Sequence, residues 1–122
     1  MSIDPKELPA DHERGYDLAE HDGVLRVTLK KNFDTCRAID RWAFKLVRAV
    51  SGPFRRVEVD LAPFLVISST VIAGLVHLSD AFGKTGTRVH LVNVGTRVRH
   101  ILEMTHLAPL FVLPEAPPPA NG

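Results

Sequence analysis

Three consecutive hydroxyl residues, Ser68-Ser69-Thr70, stand inside VEVDLAPFLVISSTVIAGLV, residues 57–76. They fall where an apolar, strand-like run passes into an apolar, helix-like one. A serine or threonine at a helix start accepts a hydrogen bond from a backbone N–H that otherwise has no partner. Capping of that kind needs one hydroxyl, and three are present. Capping remains the first reading of the stretch, and the surplus leaves room for a second, a regulated hydroxyl at a docking surface.

Other residue types that carry chemistry are sparse. The six histidines, His12, His21, His77, His90, His100 and His106, include no two that stand four apart, the spacing that puts two metal ligands on one helix face. They read as ordinary surface or half-buried side chains. Cys36 is the single cysteine, which excludes an internal disulfide and offers no metal cluster. Near a helix start its thiol pKa would fall, but no base accompanies it in sequence. Gly95-Thr96 marks a strand-to-helix turn of the kind that can hold an anion, although capping accounts for it. No glycine-rich phosphate loop occurs. The expectation is a protein that is not an enzyme, with no catalytic residue, no cofactor and no metal.

A chain of 122 residues with 45% hydrophobic and 24% charged residues suits one globular domain with a continuous core. No apolar run approaches the roughly 20 residues that span a bilayer, and the opening MSIDPKELPADHERG is polar and acidic, unlike a secretory signal. These features favour the cytoplasm and no direct membrane insertion. Charge is uneven. Residues 1–22 carry seven acidic residues against Lys6 and Arg14, whereas residues 23–122 carry thirteen basic against seven acidic. A mildly basic body favours an acidic partner surface. Its cations are scattered and lack interleaved aromatic residues, so nucleic acid is not expected.

The elements that must position Ser68-Ser69-Thr70 follow from hydrophobic period. Residues 1–14 read as a flexible leader and 15–113 as the domain. Alternation on both sides of His21-Asp22-Gly23 predicts a hairpin, with Leu25, Val27 and Leu29 on one face. Asp34 is an N-cap candidate. Ile39, Trp42, Ala43, Leu46, Val47 and Val50 then form the apolar stripe of a helix. Arg37, Arg41, Lys45 and Arg48 make a basic ridge opposite, and Ser51-Gly52-Pro53 stops the helix. RRVEVDL predicts a strand, with PFLVI extending its apolar run, and Val71–Phe82 a helix ended by Gly83 and Gly86. RVHLVNV reads as a centrally buried strand. Val98, Ile101 and Leu102 face inward from a third helix, and LAPLFVL closes the domain as a short strand or extended segment. The tail PEAPPPANG, residues 114–122, reads as disordered. The order ββαβαβαβ argues an α/β domain with a mostly parallel sheet.

Over residues 16 to 113 the chain resembles the STAS domain, the fold of bacterial anti-sigma factor antagonists and of sulfate-transporter cytoplasmic tails. The residues that carry the resemblance are the stretch from Val57 to Val76 and GTRVHLVNVGTRVRHILEMTHLAPLFVL. The second is similar to the family's glycine, apolar strand, helix and closing segment without gaps. The family motif is Asp-Ser-Ser-Gly-Leu after a strand. In that register the family's aspartate falls on Ser68, its phosphorylated serine on Ser69, its second serine on Thr70 and its glycine on Val71. The serine is kept, while the aspartate and glycine are replaced.

The resemblance implies a STAS-like single α/β domain, a mixed sheet of about four to five strands with helices packed on it. It implies a regulatory module of the anti-sigma factor antagonist type, an anti-anti-sigma factor acting in signal transduction and transcription regulation. Its partner would be an anti-sigma factor or a serine kinase of the histidine-kinase-like ATPase class. Ser69 is then the phosphorylation candidate, followed by Ser68 and Thr70, and the partner contacts fall on Ser68, Ser69, Thr70, Val71 and Ile72. A STAS accessory subunit of a phospholipid-type ABC transport complex, or an unphosphorylated scaffold, is the alternative. Oligomeric state, a homodimer included, is left open.

Overall fold

Asp22 and Gly23 both adopt positive φ, 51° and 80°. Two such residues in a row form the tight turn whose twist matches that of the strands it joins. The turn joins β2 (Tyr16–His21) to β3 (Val24–Leu29) in an antiparallel hairpin. The structure is a computed structural model and describes residues 2–3, 15–31, 33, 42–51 and 54–114. A helix α1 (Trp42–Ala49) leads to β5 (Arg56–Asp60), α2 (Ser69–Gly83), β6 (Val89–Val92), α3 (Thr96–Met104) and a 3-10 turn over Ala108–Leu110. Strands β2-β3-β5-β6 form one sheet in that order, the hairpin pair antiparallel and the rest parallel. Ser2–Ile3 (β1) pairs antiparallel with Val50–Ser51 (β4), a pairing the hydrophobic pattern does not foretell.

The period of two decides what is buried. Leu25, Val27 and Leu29 of β3, Val57 and Val59 of β5, and Val89 and Leu91 of β6 all point to one face and are essentially inaccessible. Trp42, Ala43 and Leu46 of α1, Val71, Leu75 and Leu78 of α2, and Val98 and Leu102 of α3 meet them in a single core. The opposite face of the sheet is polar. There Glu58 accepts from Arg26 Nη2 at 2.8 Å and pairs with Arg56 Nε at 2.9 Å. These are the two layers that an α/β domain of this length needs.

Three stretches read from the sequence are refined by the structure. RVHLVNV is not central: beyond β6 the described sheet continues only as one parallel bridge from His90 to Val112. Of the two forms expected for LAPLFVL, the extended segment holds: a 3-10 turn leads into a stretch that meets β6 through that bridge. Pro109 within it supplies no N–H for a sheet ladder. PFLVI enters the core only in part: Phe64 and Ile67 pack there, whereas Leu65 and Val66 are 84% and 53% exposed. The expected cap Asp34, the start of the first helix with Arg37, Ile39 and Arg41, Cys36, Gly52-Pro53, residues 4–14 and the tail from residue 115 lie outside the described residues, as does the Lys45 side chain.

Helix α2 reaches the core through a glycine. A Cβ built on Gly74 would lie 2.8 Å from the Phe33 ring and 3.1 Å from Trp42 Nε1. In its absence the Trp42 indole donates a 3.1 Å hydrogen bond to the Gly74 carbonyl. Phe33 also meets Trp42 edge-on, with ring centroids 4.8 Å apart. Alanine gains up to about 1 kcal/mol of helix propensity over glycine, but its Cβ would press on the ring of Phe33, which is fully buried. Gly74→Ala is expected to lower the unfolding free energy by about 1–3 kcal/mol. Gly83→Ala, where no atom lies within 4 Å, is expected to leave it unchanged or raise it. Urea denaturation of the two variants checks both.

Candidate functional site

Three hydroxyls enter α2, and the structure gives each a different place. Ser68 has extended backbone, φ −80° and ψ 166°, and its Oγ accepts from the Val71 N–H at 3.2 Å. Its carbonyl accepts the first intrahelical bond, from Ile72 N at 3.0 Å. Ser68 is thus the N-cap. Ser69 opens the helix and is exposed, and Thr70 is half-buried. Capping and presentation, which the sequence could not divide among the three, fall on neighbouring residues.

The two further positions expected to touch a partner are less open than Ser69. Val71 is 1% exposed and belongs to the core, and Ile72 is half-buried against it. Val71 instead floors a shallow depression of about 380 Å³ beside the helix start. Its walls are Lys31, Pro63, Phe64, Leu65, Val66, Ile67 and Ser68.

The loop before the helix is held at several points. Asp60 Oδ1 accepts from Ala62 N at 2.9 Å, and Phe64 N donates to the Leu61 carbonyl at 3.0 Å. Leu61 and Ile67 are buried. Asp60 also accepts from the Asn93 amide at 3.0 Å, and Leu61 N donates to the Val92 carbonyl at 3.1 Å. These bonds tie the loop after β5 to the loop after β6. The starts of α2 and α3 therefore share one end of the sheet. Neither helix has an acid in its first turn, so each N-terminal dipole is left unneutralised there.

The model of the STAS domain matches residues 16–117. The chain belongs to the STAS domain family. Among solved structures it is similar to an anti-sigma-factor antagonist STAS domain protein from Planctomyces limnophilus, with 19% identity over 80% of this chain and 87% of that one, at a TM-score of 0.62. It is also similar to a variant of RsbS from Moorella thermoacetica, with 14% identity over 84% of this chain and 87% of that one, at a TM-score of 0.67. At such identities the likeness is one of fold. None of the curated proteins matches.

In this STAS domain no group of three metal-ligating side chains converges among the described residues. Glu103 and His106 stand three apart in sequence but are not brought onto one helix face. The helix ends at Met104, and His106 turns to φ 60°. Among the same residues no helix is long and apolar enough to cross a membrane. What sequence reasoning missed is the exposed pair Leu65-Val66. Its one signal was Pro63, which interrupts a run too apolar to read as a loop.

His90, on the polar face of the sheet, is registered beside Glu58. Burial holds its pKa below the ordinary histidine value of 6.5, Arg56 and Arg88 add to the shift, and Glu58 opposes it. The folded state therefore takes up this proton less readily than the unfolded chain. Stability from this position is intact above pH 6.5 and is lost as pH falls through that value toward the lowered folded one. Between about pH 7.5 and about pH 5.5 the urea midpoint of the wild type is expected to fall further than that of His90→Gln.

The division of labour at the helix start gives a second expectation. Ser68→Ala removes the cap and should cost about 1 kcal/mol. Ser69→Ala, expected from the sequence to carry that cost if its hydroxyl were the cap, should change stability by less than about 0.5 kcal/mol. Thermal and urea unfolding of the two variants distinguishes them.

Proposed function

We propose that this STAS domain is a non-enzymatic regulatory binding module of the cytoplasm, of the anti-sigma factor antagonist type. It docks an anti-sigma factor or a serine kinase of the histidine-kinase-like ATPase class, and phosphorylation of Ser69 switches it. The observation that carries this reading is the exposed Ser69 at the first helical position of α2. Ser68 performs the capping, so modification of Ser69 leaves the cap intact.

The physics of the switch is local. Phosphorylation adds about −1.5 to −2 charges and three acceptor oxygens. Within the domain the N-terminus of α2 tolerates that charge, since its dipole is favourable and its first turn holds no acid. At the docking surface the same charge must be desolvated or repelled. The complex then dissociates while the fold persists. A change of about 3 kcal/mol in partner affinity corresponds to roughly a hundredfold.

A second reading, a STAS accessory subunit of a phospholipid-type ABC transport complex, draws support from Ser68. A capping serine where the family motif has aspartate removes a charge that would help a kinase recognise the neighbouring hydroxyl. In that reading the same face stays on an ATPase subunit permanently.

Intact mass after incubation with ATP and the anti-sigma serine kinases of the same genome separates the two. One added phosphate on the wild type, absent from Ser69→Ala, is expected. No phosphate on either protein favours the constitutive subunit. In a direct titration against a kinase that binds, Ser69→Asp is expected to weaken affinity roughly a hundredfold with an unchanged unfolding midpoint. Unchanged affinity would sink the switch.

A further inference from the structure

Two apolar side chains stand out in the loop that leads to the candidate phosphoacceptor. Leu65 and Val66 are 84% and 53% exposed, whereas Ile67 beside them is 7% exposed and Phe64 packs against the core. Single exposed apolar residues are ordinary. This pair is not free to turn inward, because the loop is fixed on both sides. Leu61 and Phe64 are joined by a backbone hydrogen bond, Ala62 N is held by Asp60, and Ser68 is committed to the helix cap. The chain thus holds Leu65-Val66 up as a knob, two residues ahead of Ser68-Ser69.

Among the described residues, two cations at this end of the sheet stand without an ion pair. Lys31 forms part of the wall of the adjoining depression. Arg97 lies in the first turn of α3, at the same end of the sheet. Neither makes an ion pair with another described residue. The carboxylate nearest in the chain, Asp60, is already engaged by Ala62 N, the Asn93 amide and, at 3.7 Å, Arg26. Two unneutralised helix N-termini add to the positive potential.

We infer that the Leu65-Val66 knob inserts into an apolar cavity of a protein partner, and that the rim of this cavity is acidic, facing Lys31 and Arg97. The inference rests on the reading of this face as a docking surface and specifies the partner's chemistry. It also gives the switch its sign: a phosphate on Ser69, three residues from Val66, would meet the acidic rim that the unmodified face attracts. A lipid surface fits less well. Two apolar side chains and two cations fall short of the apolar helix face, or the cluster of about four to eight basic residues, that holds a protein on an anionic membrane.

The test titrates wild type, the double variant Leu65→Ser/Val66→Ser, Lys31→Glu and Leu110→Ser against recombinant anti-sigma serine kinases of the same genome, at low and high salt. Both knob residues are exposed, so the double variant keeps its fold, which its unfolding midpoint verifies. It is expected to bind at least about tenfold more weakly. Leu110→Ser, an exposed leucine at another site, should bind as wild type. Added salt should weaken wild-type binding, and Lys31→Glu should bind more weakly with a smaller salt effect. Equal affinity of wild type and double variant overturns the inference while leaving the docking function intact, and so does tighter binding by Lys31→Glu. Knob-dependent binding to phosphatidylcholine–phosphatidylglycerol vesicles, with kinase affinity indifferent to the knob, would replace the protein partner by a membrane. Failure of the wild type to bind any of these kinases overturns the proposed function and the inference together.

Discussion

Helix α2 can lie where it does because residue 74 has no side chain. The Phe33 ring occupies the space a Cβ would need, and the Trp42 indole reaches past it to the Gly74 carbonyl. This bond fixes α2 against α1, since a buried indole N–H without an acceptor is costly. The helix start follows from that anchor. Gly74 lies on the same helix as Val71, Leu75 and Leu78, all buried, so the depth of the helix sets the height at which Ser69 meets solvent. A core contact more than a turn away therefore positions the hydroxyl that the site depends on.

The helix start divides two tasks that compete when one residue must perform both. A capping hydroxyl has its oxygen engaged by a backbone N–H and its conformation fixed. A hydroxyl that accepts a phosphate must be reachable and free to rotate. In this STAS domain Ser68 takes the first task, and Ser69 has the exposure that the proposed second task requires. Because Ser68 is uncharged, the cap leaves the helix dipole unneutralised at this end, which is the electrostatic condition under which an added anion is tolerated.

Much of this arrangement was legible in the chain, for identifiable reasons. Asp22-Gly23 between alternating runs specified the hairpin, because only such residues adopt consecutive positive φ at low cost. The spacing from Val71 to Phe82 specified α2, and Gly95-Thr96 the start of α3. Which of three hydroxyls caps was not legible, since each can serve and the choice depends on where the helix is anchored in three dimensions. Nor was the exposure of Leu65 and Val66. Hydrophobicity records what a residue would gain from burial, not whether its loop has the freedom to bury it. That β6 is followed by a single bridge to Val112 and no further strand among the described residues was hidden for a similar reason: Val89 and Leu91 are buried whichever neighbour the strand has.

Along residues 109–114, several polar contacts from other elements run to carbonyl groups. Ser79 Oγ donates to the Leu110 carbonyl, Arg88 to those of Pro109 and Phe111, and Arg99 to that of Pro114. Every residue type has a carbonyl in that place. The path of residues 109–114 is thus written partly in α2, α3 and the approach to β6, and partly in the segment's own Phe111 and Leu113, which pack on the core. Where only a carbonyl is engaged, the course of the chain depends on residues that lie elsewhere.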